Sequence, residues 1–186
     1  MNRTEILAYF FILCCLFLLS TYTGYFVAMR DPKIAENVLS QFSSEFGFIK
    51  LLPRFLIFLI IFVNNAVKAF VAMLLGVLFG LAPVLFVVLN GMMVGMVVYV
   101  VGERIGIDRV IMLLLPHGII EIPAILLACS YGLWLGRMFF EKLRGKDVSM
   151  NEMVGEAISK FVKTVVPMLL VSAFVEAYIT PMLAKV

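Results

Sequence analysis

Apolar positions gather into five long runs, near 6–29, 54–81, 83–102, 109–139 and 164–184, separated by short polar stretches. Each run reaches about 20 residues, the length of α-helix that crosses a hydrocarbon core of about 30 Å. Two further stretches show helical spacing instead of continuous apolarity. Over 32–49, Ile34, Val38, Phe42 and Phe46 recur every four residues among Lys33, Glu36, Asn37, Gln41 and Ser44. Asp31-Pro32 offers this stretch an N-cap and a first-turn proline. Over 149–163, Met153, Ala157 and Phe161 run beside Val154, Ile158 and Val162, behind the capping-box spacing Ser149-x-x-Glu152. The pattern predicts an all-α membrane protein, a single domain over 1–186, with five spans and two interfacial amphipathic helices.

The first run reads as a retained membrane helix. It is too long for the apolar core of a signal peptide, and no small-x-small cleavage site followed by soluble sequence closes it. Only Leu81-Ala82-Pro83 separates the second and third runs, which predicts a tight antiparallel hairpin. Ala69, Ala72, Gly76 and Gly80, then Gly91-x-x-x-Gly95 and Gly132-x-x-x-Gly136, form small-residue ridges where helices pack closely. Internal packing is the first reading of these ridges and a dimer face the second. The fourth run carries Pro116, Gly118 and Pro123. A proline lacks an amide hydrogen and clashes with the carbonyl four residues back. The expectation is a helix broken at Pro116 and Pro123, or a re-entrant hairpin buried in protein. In either form Pro116 opens a new helix, with the His117 and Gly118 amides at its positively polarised start.

Composition agrees with a membrane chain: 63% of residues are hydrophobic and 15% charged, against about 45–50% and about 25% in soluble domains. A soluble enzyme, a coiled coil and a disulfide scaffold are excluded. The net charge of +3 comes from basic residues scattered over loops, so nucleic acid is not a partner. Cys14, Cys15 and Cys129 lie within apolar runs and read as small hydrophobes. If all five runs cross, the Lys and Arg residues at their ends and between them, Lys68 apart, divide seven and seven between the two faces; if the fourth re-enters, they divide twelve and two. The second split favours re-entry with both amphipathic helices on the cytoplasmic face, and the topology stays open on this count alone.

Polar groups at bilayer depth are few: Asn64, Asn65 and Lys68, Asn90, His117 and Glu121, and Glu176. An ionisable group there costs roughly 2.5–3.5 kcal/mol, so it is paired or functional. His117 and Glu121 share a helical face, as do Asn64 and Lys68, and Lys68 offers a counter-ion to Glu121 or Glu176. One reading is a satisfied polar network that fixes helix register. Another is a proton or small-ion path through Glu121 and Glu176 in a broken-helix transporter or channel. A third is a divalent metal held by His117, Glu121 and Glu176; otherwise no cofactor is expected. No metalloprotease, paired-aspartate or Ser/His signature is present, so no catalytic residue is assigned.

Phe62-Val-Asn64-Asn65, Gly80-Leu-Ala-Pro83, Asn90-Gly91 with Gly95, and Leu115-Pro116-His117-Gly118-Ile-Ile-Glu121-Ile-Pro123-Ala124 follow in order. Gly132, Gly136, Glu176 and Pro181 come after them. Together these resemble the stage II sporulation protein M family along essentially the whole chain. The resemblance implies a multi-pass membrane protein whose namesake works with peptidoglycan-degrading partners while the forespore is engulfed. With no catalytic signature, small-residue faces on several helices and two amphipathic helices open to partners, the expectation is a scaffold or anchor in the cell membrane. It would sit among bilayer lipid as a homo-oligomer, with membrane or envelope proteins as partners.

Overall fold

The computed structural model describes residues 1–46 and 52–183. Six helices follow in order: α1 (Arg3–Arg30), α2 (Pro32–Phe46), α3 (Arg54–Leu74), α4 (Leu81–Ile105), α5 (Ile107–Leu143) and α6 (Met150–Leu183). All except α2 are long and apolar enough to cross a membrane. Their outward faces are apolar too: Phe11, Leu18, Leu89 and Ile119 are all well exposed. Water penalises such a surface and lipid does not.

The central element is α5. From Ala128 to Gly132 every residue is buried, so neighbours surround the helix at that level. It touches α1, α3, α4 and α6. On one side α1 and α4 form a close pair, and on the other α3 and α6 pack together. Small residues permit both approaches. A methyl built on Gly95 would land on the Thr21 carbonyl and the Tyr25 amide, and one on Gly24 would land on the backbone of Met92. Across α5, the Gly76 and Gly132 backbones meet directly, and Gly136 abuts Gly76 and Gly80. The small-residue ridges are thus used inside the molecule. Hydroxyls at membrane depth are satisfied by their own helices: Ser20 donates to the Leu16 carbonyl and Ser130 to that of Leu126, each at 2.7 Å.

Several sequence expectations change. The second and third runs are joined by a short turn, but not at Leu81–Pro83. Their turn falls at 78–80, where Phe79 and Gly80 take φ of 55° and 75°. Leu81–Pro83 instead forms the first turn of α4, a position that tolerates proline because no earlier carbonyl awaits its amide. Beyond the turn α3 and α4 splay, leaving an apolar crevice of about 430 Å³ between Val71 and Leu85.

Nor does the fourth run break. α5 continues through Pro116 and Pro123 without interruption, so neither a re-entrant turn nor a helix start at Pro116 is present. At 37 residues it extends about 55 Å, more than enough to cross. If all five long helices cross, the basic residues divide evenly between the two faces. The second amphipathic stretch is no separate interfacial helix, since it is the first part of α6, continuous with the fifth span. Ser149 makes no side-chain cap bond; only its carbonyl accepts, from the Met153 amide. The Asp31 cap does form, its carboxylate accepting from the Lys33 amide at 3.2 Å. On α2, however, Ala35 and Leu39 face α1 and α4, while Ile34 is exposed. Residues 47–49 of that predicted helix lie outside the described residues.

The irregular helix is α6. It widens into π-helical turns at Phe161–Val165 and Val175–Ile179. Each is followed within two residues by a proline, Pro167 or Pro181. In both cases the carbonyl four residues before the proline (Lys163, Ala177) lies inside the widened turn, which moves it out of the ring's way. The buried stripe of α6, Ala157, Phe161, Val165, Leu169, Ala173 and Ala177, is spaced by four throughout. On a regular helix of 3.6 residues per turn, each such step over-rotates by about 40°. The two wider turns take up that drift and keep the stripe against α5.

Candidate functional site

The polar residues singled out from sequence converge on the seam where α3, α5 and α6 meet. His117 and Glu121 are one turn apart on α5. Opposite them, Glu176 lies within the second π-helical turn of α6, and Thr180 follows it. One ligand-competent atom from each of His117, Glu121 and Glu176 lies within 4.8 Å of the other two. The Thr180 hydroxyl sits 3.5 Å from His117 Nδ1. It also reaches back toward the Val175 carbonyl at 3.4 Å, a five-residue span that suits the widened turn.

From α3, the Asn65 amide donates to Glu121 Oε1 at 2.9 Å, and Asn64 donates to Asn65 Oδ1 at 3.2 Å. Glu121 is therefore aimed by a neighbour that itself has a partner. Lys68 lies on the exposed flank of α3, near enough for its charge to act on Glu121. Asn90 stands apart from this chain of bonds, because its amide returns to the Phe86 carbonyl of its own helix at 2.7 Å. It meets the cluster only through a small cavity of about 60 Å³, which Glu121 and Asn90 both line and which has room for water.

The helix-break residues play a different part. Pro116 and Pro123 flank the cluster within a continuous α5. Gly118 faces the α4–α5 crevice, where a built methyl would meet only Ile122 Cδ1, at 3.6 Å. Sequence reasoning missed Thr180, and it missed the wide turn that carries Glu176. Pro181 was the available signal, since its carbonyl clash demands relief one turn earlier.

Two carboxylates this close repel unless a proton or a cation lies between them. An imidazole beside them, a hydroxyl and a carboxamide complete a donor set suited to a proton or a divalent ion.

The family model for stage II sporulation protein M matches residues 12–181 of the chain. No curated protein matches it, and neither does any solved structure. A match over nearly the full length settles membership: this chain belongs to the stage II sporulation protein M family, and with its five apolar helices it is a membrane protein of that family.

Proposed function

We propose that the protein is a non-enzymatic anchor for a multiprotein assembly of the cell membrane, and that it works as a homo-oligomer. The observation that carries this reading is the reach of α6. Its 34 residues extend about 51 Å, some 20 Å more than the hydrocarbon core. The excess is the amphipathic start of the helix, which stands beside the membrane as a rigid post.

Its base is fixed. Ala157 and Phe161 join the main core, and the Met1 amine pairs with Glu156 at 2.9 Å. Nearby, Arg137 at the end of α5 bridges Glu5 of α1 and Glu141. The outer face, with Glu152, Gly155, Ser159 and Val162, is exposed and offers a surface to a protein. A post that resists bending transmits position from membrane to partner, which is what an anchor requires. A photocrosslinking residue at Ser159 should give, in native membranes, an adduct of two chains together with one reproducible heterologous adduct. The same probe at lipid-facing Leu18 should give neither. Adducts with lipid alone at both positions would defeat the proposal.

A transport reading keeps one of its two supports. Glu121 and Glu176 do come together, whereas the interrupted helix it also relied on is absent. Unchanged ion or proton flux in reconstituted Glu121→Gln protein would remove the other.

A further inference from the structure

The convergence at the α3–α5–α6 seam carries a second, independent reading. We propose that His117, Glu121 and Glu176 bind one divalent transition-metal ion. Three observations point there, none of them dependent on the anchor role.

First is the donor set. One imidazole nitrogen and two carboxylates within 4.8 Å of one another match the ligand types of Zn²⁺, Mn²⁺, Fe²⁺ and Co²⁺. Mg²⁺ prefers an all-oxygen, largely hydrated shell, and Cu⁺ prefers sulfur. Second is charge. Two carboxylates side by side repel each other, and a dication between them relieves that repulsion more than a monovalent ion does, even with the Lys68 charge acting on Glu121 from the flank of α3.

Third is the support around the ligands. Asn65 donates to Glu121 Oε1 at 2.9 Å, and the Thr180 hydroxyl lies 3.5 Å from His117 Nδ1. Contacts of this kind orient metal ligands and set the imidazole tautomer. The π-helical turn at Val175–Ile179 supplies the remaining ligand, and such turns recur at functional sites. Beside Glu121, on the side of α5 that faces α1 and α4, a 60 Å³ cavity shared with Asn90 has space for a water that could hydrogen-bond the ligand carboxylate.

The test uses the full-length chain without a histidine tag, stripped with chelator and held in detergent or nanodiscs. Co²⁺ is the probe, because its visible absorption reports coordination number. Expected are one Co²⁺ per chain, a visible spectrum characteristic of nitrogen and oxygen ligands, and displacement by Zn²⁺. Glu121→Gln, Glu176→Gln and His117→Ala should each lose at least tenfold in affinity. Glu156→Gln, which alters a carboxylate at the far end of α6, should bind as the parent does. Asn65→Ala should weaken binding about tenfold, as loss of an orienting contact does.

Should Glu121→Gln fail to fold, Glu121→Asp keeps the carboxylate and should bind with a shifted spectrum. Equal binding by the parent and all three ligand variants would overturn the proposal, as would no binding by folded parent protein. A parent that takes up protons at the cluster but neither Co²⁺, Zn²⁺ nor Mn²⁺ would also overturn it, in favour of a proton site.

Discussion

At Gly132 a single hydrogen atom is what lets α5 lie against its neighbours: a methyl there would sit 2.6 Å from Pro83 Cγ and 3.0 Å from the Met73 carbonyl oxygen. Both obstacles belong to well-packed parts of the molecule and have little room to move. Gly132→Ala should therefore lower stability by about 1–3 kcal/mol, read as a fall of several degrees in the midpoint of a detergent thermal-shift series. Gly155→Ala is the counterpart. A methyl there meets nothing within 4 Å on an exposed helix, and the change should be neutral or stabilise by up to about 1 kcal/mol. Lys68→Met tests the electrostatics of the seam. It removes a cation that acts on Glu121, so it should strengthen Co²⁺ binding severalfold. At this scale the sequence was readable where chemistry is expensive: His117, Glu121 and Glu176 stand out because charge in lipid needs a partner. Which partner was not readable, since Asn65 meets Glu121 across 56 positions of chain, whereas Asn90 turned out to bond its own helix. Ser20, Gly24 and Ala28 on α1 were passed over, although they present the small-residue spacing that α4 requires.

Proline acts differently in α5 and α6. The first helix continues through Pro116 and Pro123, while in the second the carbonyls opposed to Pro167 and Pro181 lie in widened turns. Local sequence shows where a ring removes a hydrogen bond, not how the backbone accommodates the loss, and that is why the expected break was placed in the wrong helix. Helix existence was legible throughout, because about 20 apolar residues in lipid have no better conformation than a helix. Helix continuity was not, and the polar start of α6 read as a separate element although it continues into the span. The wide turn at Val175–Ile179 can be tested. Pro181→Ala restores a hydrogen-bond donor and removes the clash, allowing regular α-helix and rotating Glu176 away from His117 and Glu121. Co²⁺ affinity should fall at least tenfold while helical content by circular dichroism stays within a few per cent. Pro167→Ala, about four turns earlier, should disturb packing on α5 and leave the ligands of the seam in place.

If all five long helices cross, the start of α1, the end of α5 and the start of α6 lie on one face, with α2 and the α4–α5 turn on the other. After removal of Cys14, Cys15 and Cys129, single cysteines at Thr4 and Asp147 should label from the same side of sealed vesicles. Cysteines at Lys33 and Glu103 should label only from the opposite side. Labelling of Thr4 and Asp147 from different faces would mean that α5 does not cross. Basic residues divide evenly between the faces, so orientation rests on few charges, and two added lysines beside one loop should be enough to bias it. The number of spans was readable because hydropathy counts crossings; the arrangement was not, because in lipid apolar character no longer says which face of a helix is inside. The central place of α5 also bears on biogenesis. It is the fourth crossing helix to leave the ribosome, yet every other crossing helix packs on it. Until it is released, Gly76 and Gly80 beyond the end of α3 lack the surface they close on, and the last helix, not yet made, has nothing to dock against. Synthesis therefore delivers an α1–α4 pair with α3 tethered to it through the turn at 78–80, and the bundle closes only when the fourth span arrives and α6 follows it.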